Sequence, residues 1–336
     1  MKTRKFTRQR RVLTLALGMT LALVATQSSA QSAVDSGWPK RPITLLVGAP
    51  AGGSADIIAR VLGESISKQL GQPVIVENKP GAMSTLAARS LVTAPHDGYT
   101  YVVSAELLVT EIPHSIKTAY DPFKDIAPLA EIAHGTLVLV GNPKLPAQTL
   151  KELAAYLKTQ PGKMSFASYS SGTISHTLGL QLNTLAGLDM VHVGYKGSPP
   201  ALQDVMGGQA QLMFDGMPTS LPLIKSGKLK AFAVTGSRRA LALPDLPTVA
   251  EAGFPALETN PWFALWTVPD APAAAQTRMR EAVLAAIKQP AIAQRLNTLG
   301  LETKATPATP EQMQQTLQAS YNRVGDVLRT INYKPE

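Results

Sequence analysis

Ile43-Thr44-Leu45-Leu46-Val47-Gly48-Ala49-Pro50-Ala51-Gly52-Gly53-Ser54-Ala55-Asp56-Ile57-Ile58-Ala59-Arg60 decides how the chain is read. Ile43 to Val47 is a short apolar run, the pattern of a strand covered on both faces. Gly48 and Pro50 end it, and Gly52-Gly53 allows a close backbone approach. Ser54 reads as an N-cap and Asp56 as a first-turn acid. Ile57/Ile58, Val61/Leu62, Ile66 and Leu70 then recur at helical spacing. A strand feeding a glycine-lined helix N-terminus offers free N–H donors and the positive end of the helix dipole, which suits an anion. An ordinary βα turn has the same pattern.

The design recurs downstream. Met164 to Ala167 reads as a strand, Ser168-Tyr169-Ser170-Ser171-Gly172-Thr173 as a small polar loop, and Ile174 to Leu185 as a helix. Two such units in different halves of a chain are able to face each other across a cleft. Strand and helix patterns alternate throughout, which predicts parallel α/β sheets. A crossover between domains is expected near Ala133-His134-Gly135, and the strand at Trp262 to Val268 reads as part of the return. Residues 38–135 with 260–336 are assigned to one domain and 136–259 to the other.

The 336 residues suffice for two domains, and at 45% hydrophobic and 16% charged they can bury full cores. The formal charge of +9 is concentrated at the start, where Lys2, Arg4, Lys5, Arg8, Arg10 and Arg11 meet no acid before residue 31. Without those six, 26 basic residues face 23 acidic ones. No basic run follows and aromatics are only 5%, so no nucleic-acid partner is expected. The basic start, the apolar Val12 to Thr26 and the small residues Ser28-Ser29-Ala30 have the form of a secretory signal cleaved near Ala30. An uncleaved anchor is the alternative. The absence of cysteine excludes disulfides and thiol chemistry.

No catalytic pattern emerges. There is no G-x-S-x-G elbow, and Gly48 to Ser54 lacks the lysine of a P-loop. His96, His114, His134, His176 and His192 have no ligand spacing and no thiolates to join them, so neither metal nor cofactor is expected. His176 lies near enough to the second loop to approach a cleft, or else packs or caps. Asp56 complements the helix dipole, and near an anionic ligand its side chain should turn toward neighbouring N–H groups. Tyr195 and Lys196 occupy a loop at a strand end, where α/β sheets place ligands; Lys196 reads equally as a solvated surface charge. Asp215 reads as an organiser of the crossover or cleft. Glu106 follows a strand and faces either the cleft or, the favoured reading, solvent.

The motifs then add up in fixed order. Trp38-Pro39-Lys40-Arg41-Pro42-Ile43, Pro50 to Asp56, Gly71-Gln72-Pro73 through Pro80-Gly81, and Asp97-Gly98-Tyr99-Thr100 are followed by Val191-His192-Val193-Gly194-Tyr195-Lys196-Gly197. Leu212-Met213-Phe214-Asp215, Leu243 to Thr248 and Glu251-Ala252-Gly253 complete the series. From about residue 38 to 310 the chain resembles the Bug, or tripartite tricarboxylate transporter receptor, family of periplasmic substrate-binding proteins. The resemblance implies a two-domain Venus-flytrap α/β fold with the ligand between the domains. It also implies a small organic carboxylate held by main-chain and hydroxyl groups of two facing loops. Here those are Ala49, Pro50, Ala51, Gly52, Gly53, Ser54 and Asp56 in one domain, and Ser168, Ser170, Ser171, Gly172 and Thr173 in the other. Membrane permease subunits are the implied partners, and a monomer is expected. A receptor feeding a sensor protein and an exported hydrolase are the alternatives. The chain departs from the family pattern at Ala82-Met83-Ser84, at Ser170-Ser171-Gly172 and around Ser104-Ala105-Glu106. Met83, Ser104, Glu106 and Ser170 are therefore expected to read the far end of the ligand.

Overall fold

The computed structural model describes residues 37–81 and 84–334. The signal-like segment and Met83 lie outside them. The compact unit Pro39–Glu336 carries every named strand and helix, and these form two sheets with flanking helices.

The first sheet has the order β11-β4-β10-β3-β1-β2. Its strands are β1 Ile43–Val47, β2 Val74–Asn78, β3 Thr100–Ala105, β4 Ala127–Gly135, β10 Trp262–Thr267 and β11 Leu301–Glu302. The second has the order β7-β6-β8-β5-β9, built from β5 Leu137–Gly141, β6 Ser165–Ser168, β7 Val191–Gly194, β8 Leu212–Gly216 and β9 Lys230–Val234. The helices are α1 Ser54–Leu70, α2 Thr85–Thr93, α3 Leu107–Thr110, α4 Ile112–Ser115, α5 Leu150–Lys158, α6 Ile174–Ala186, α7 Ser198–Gly207, α8 Met217–Lys225, α9 Ala273–Lys288, α10 Pro290–Thr298 and α11 Pro310–Thr330.

The β1–α1 unit forms for the reasons its sequence suggests. Ile43, Leu45 and Val47 are fully buried, and β1 sits between β2 and β3, parallel to both. α1 buries Ile58, Ala59, Leu62 and Ile66 on one face and ends on Gly71 in the left-handed region. Its N-cap is Gly53, not Ser54, and no side chain caps it. Ser54 is instead already helical, so its hydroxyl is free to face outward.

The sheets are mixed, not parallel throughout. β10 runs antiparallel to β3 and β4, and β5 antiparallel to β8 and β9. The cause is the path of the chain. Only Thr136 separates β4 in the first sheet from β5 in the second, and β10 returns after a turn-rich passage. Strands that arrive from the other sheet need no helical crossover, so their direction is not forced parallel. Each sheet keeps a parallel core, β2-β1-β3 and β7-β6-β8, and the βα loops of those cores set the site.

Candidate functional site between the two sheets

A cavity of about 170 Å³ is lined from both sheets. That is roughly ten times the volume one water needs on the same measure, so it admits a small organic molecule. Gly48, Ala49, Pro50, Gly53 and Ser54 supply one wall from the β1–α1 loop. Tyr169, Ser170 and Thr173 after β6, Tyr195 to Ser198 after β7, and Asp215 to Pro218 after β8 supply the facing wall. These are the carboxyl ends of the parallel strands, where open α/β sheets present their loops.

Several helices begin at this cavity, among them the three that start the second wall and the one that follows β1. α1, α6, α7 and α8 have N-caps Gly53, Thr173, Gly197 and Gly216, and none has a side-chain cap. The Thr173 hydroxyl donates to the Ser170 carbonyl at 2.7 Å instead. Uncapped first turns present N–H groups and the positive dipole ends. The buried Asp215 carboxylate accepts from the hydroxyls of Ser198, Thr219 (2.6 Å) and Ser220 (2.6 Å), so it braces the starts of α7 and α8. Burial raises its pKa, which those hydroxyls oppose.

The two walls touch over the cavity where the second wall has glycine. The Ser115 hydroxyl donates to the Gly172 carbonyl at 3.1 Å. A Cβ on Gly197 would meet the Pro50 ring at 2.5 Å, and one on Gly216 would meet Ser54 Oγ at 2.7 Å. These glycines let the loops approach closely, and the arrangement is a closed one.

Of the residues singled out by sequence, Ala49, Pro50, Gly53, Ser54, Ser104, Glu106, Ser170, Thr173, Tyr195, Lys196 and Asp215 line the cavity. Ala51 and Gly52 are exposed, outside the lining. Asp56 is buried and turned away: its carboxylate accepts from Gly52 N (2.9 Å), Arg60 Nε (3.0 Å) and Asn78 Nδ2 (2.9 Å). Burial raises its pKa, but those bonds outweigh burial and leave it below the usual value. Ser168, Ser171 and Gly172 of the second loop, and His176 after it, lie outside the lining. Ser168 Oγ lies 2.7 Å from His192 Nε2. His176 Nδ1 accepts from Gly172 N at 2.9 Å, and its ring stacks on His192 with centroids 3.7 Å apart. Burial, then the neighbouring His192, hold His176 down to about 3. It is a neutral ring that shapes the loop.

Glu106 is not a solvent-facing side chain. Its carboxylate accepts from Trp262 N at 2.9 Å, because β10 returns beside β3 and covers it. Sequence reasoning also passed over Tyr169 and Glu111, both in the lining. Glu111 interrupts the apolar stretch Leu107 to Ile112, and an acid in such a run was the available signal. Burial, with Glu111 as a like charge, raises Glu106 to about 8, and burial raises Glu111 to about 7. Trp262 is buried and lies outside the lining.

Two α/β lobes with a cavity between them at the strand ends define the periplasmic-binding-protein class. Residues 58–333 match the family described as tripartite tricarboxylate transporter family receptor. BugT of Bordetella pertussis is 33% identical over 317 residues, 93% of this chain and 95% of that protein. The periplasmic binding protein BugD superposes with a TM-score of 0.85 at 31% identity, covering 89% of this chain and 100% of BugD. A Rhodopseudomonas palustris protein solved with adipate gives 0.85 at 29% identity, covering 89% and 100%. MatC from the same organism, with bound malate, gives 0.80 at 31% identity, covering 87% and 100%. The chain belongs to the tripartite tricarboxylate transporter receptor family, the Bug proteins, and is a solute-binding receptor of that family.

Proposed function

We propose that the protein captures a small organic carboxylate in this cavity and presents it to membrane permease subunits of a tripartite tricarboxylate-type transporter. It would do so as a monomer in the periplasm, after cleavage near Ala30, and without catalysis. The observation that carries the reading is that α1 from one wall and α6 from the other both begin, uncapped, at one cavity. A carboxylate there accepts from N–H groups of Ser54, Ser170 and Thr173 and from the hydroxyls of Ser54 and Ser170, while Ala49, Pro50 and Gly53 bring backbone close. Ser104, Tyr195 and Lys196 shape the remaining wall. Asp56, Ser168, Gly172 and His176 hold the two loops in form. Each hydrogen bond to a charged group contributes about 1.5–3 kcal/mol. Three or four reach the roughly 8 kcal/mol of micromolar binding before ordering costs. The segments 38–135 with 260–336, and 136–259, are the two bodies that close on the ligand.

A thermal-shift screen over organic acids tests this. A ligand at about 1,000 times its Kd adds about 4 kcal/mol of stability. Stabilisation by amines or sugars and by no carboxylate refutes the reading.

A further inference from the structure

The second loop is made mostly of small residues, Ser168-Tyr169-Ser170-Ser171-Gly172-Thr173, so packing of its own side chains does little to fix its shape. Hydrogen bonds to its main chain do that instead. The Ser170 carbonyl accepts from the hydroxyls of Ser168 (3.0 Å) and Thr173 (2.7 Å). Gly172, with φ 75°, is held at both of its polar atoms. Its N–H donates to His176 Nδ1 at 2.9 Å within the second wall. Its carbonyl accepts from Ser115 Oγ at 3.1 Å across the walls. The His176 ring is held in turn. It stacks on His192 and meets the Tyr333 ring edge to face, with centroids 5.8 Å apart and planes at 72°.

Tyr333 comes from the other side of the cavity. It stands three residues past α11, a helix whose Met313 and Leu317 pack with Leu46, Val102 and Trp266 of the first sheet. α11 and the short α4 are locked together. His114 stacks on Tyr321 at 4.0 Å, and its Nε2 lies 2.9 Å from the Tyr321 carbonyl. Ser115 ends α4. After α11, Asn332 turns into the left-handed region (φ 51°), and the Tyr333 N–H bonds back to the Leu328 carbonyl at 2.9 Å. That helix stop fixes the direction in which Tyr333 leaves. Both ends arrive at one place: a Cβ on Gly172 would strike Ser115 and would meet the Tyr333 hydroxyl at 2.9 Å.

Resting on the reading that the two walls close on a carboxylate, we propose that Tyr333 is a positioning residue for binding: its ring backs His176 and, through His176 and Gly172, holds the Ser170 loop in the shape that receives the solute. Tyr333 itself lies outside the cavity lining, so it acts on the solute only through the loop. With the walls apart, Tyr333 withdraws with α11 and His176 loses that neighbour. The contact therefore favours the closed protein alone, and a residue close to the end of the chain belongs to the clamp.

The test is calorimetric titration of the purified full chain with malate, succinate, adipate, phthalate and glutamate, the tightest binder being carried to the variants. Tyr333→Ala should weaken it roughly threefold to tenfold, the worth of an aromatic edge contact. Tyr333→Phe keeps the ring and should hold the affinity within about twofold of wild type. The ligand-free melting temperature should stay unchanged in both variants, because the contact forms only with the walls together. A residue that merely supported the fold would lower that temperature. Wild-type affinity in Tyr333→Ala overturns the assignment. So does a Tyr333→Phe chain as weak as Tyr333→Ala, or ligand-free melting that falls along with affinity. Each of those results leaves carboxylate capture standing. A panel in which no acid binds the wild-type chain refutes capture itself, and the role of Tyr333 falls with it.

Discussion

Gly216→Ala separates closure from folding. Gly216 has φ −68° and ψ 141°, an extended conformation that alanine adopts freely. With the walls apart the substitution is therefore unstrained, and the loss of glycine's freedom in the unfolded chain stabilises by about 0.4–1 kcal/mol. With the walls together the new Cβ lies 2.7 Å from Ser54 Oγ, but 3.7 Å from both Ser54 Cβ and Pro218 Cδ. Only the hydroxyl is in the way. Overpacking of this kind costs about 1–3 kcal/mol, and it falls on the closed state alone. Ligand affinity should drop by about 5- to 150-fold, while the ligand-free protein melts at or slightly above the wild-type temperature. In a Ser54→Ala background the obstacle becomes an ordinary Cβ–Cβ contact, so the added Gly216→Ala should leave affinity nearly unchanged. Calorimetric Kd values for the four proteins of the cycle give a coupling of about 1–3 kcal/mol. Wild-type affinity in Gly216→Ala, or the same loss with and without the Ser54 hydroxyl, refutes the claim that binding proceeds through the contact of these walls.

Ser115→Ala removes the hydroxyl donor to the Gly172 carbonyl across the walls. At about 1 kcal/mol for such a bond, titration should show a roughly fivefold weaker ligand. Asp56→Ala releases Gly52 N, Arg60 and Asn78 together, and chemical unfolding should report a loss of about 1.5–3 kcal/mol. Because the native pKa of Asp56 is depressed, that difference is complete at neutral pH and shrinks as pH falls through the carboxylate range. Glu106 and Glu111 work in the other direction, raised to about 8 and about 7 from an unfolded value of about 4.3. Between these limits the native state binds more protons than the unfolded one, so ligand-free stability should fall as pH rises from about 5 to about 8. Each glutamate contributes about 1.4 kcal/mol per pH unit, offset below about pH 6.5 by His176, which binds fewer protons folded than unfolded; denaturant melts across that range should show the net fall, and Glu111→Gln should reduce it.

What the sequence made legible is what local physics determines. The run Ile43 to Val47, the glycines after it and the spacing of Ile58, Leu62 and Ile66 are enough to form a strand, a turn and a helix in order. The second unit at Ser165 to Ala186 forms for the same reason. What stayed hidden depends on neighbours far along the chain. Glu106 accepts from a strand residue 156 positions away, so no pattern around Ser104-Ala105-Glu106 distinguishes a half-buried acid on the cavity wall from an exposed one. The direction of β5 and β10 follows from which sheet the chain has just left, and alternation of helix and strand patterns is blind to that. His176 and His192 stack only because β7 lies beside β6. The same division explains the site. One part of the cavity is made of helix starts, which any strand–glycine–helix sequence advertises. Another part is lined by Glu106 and Glu111, whose neighbours are set by the return of β10 and by the short helices after β3.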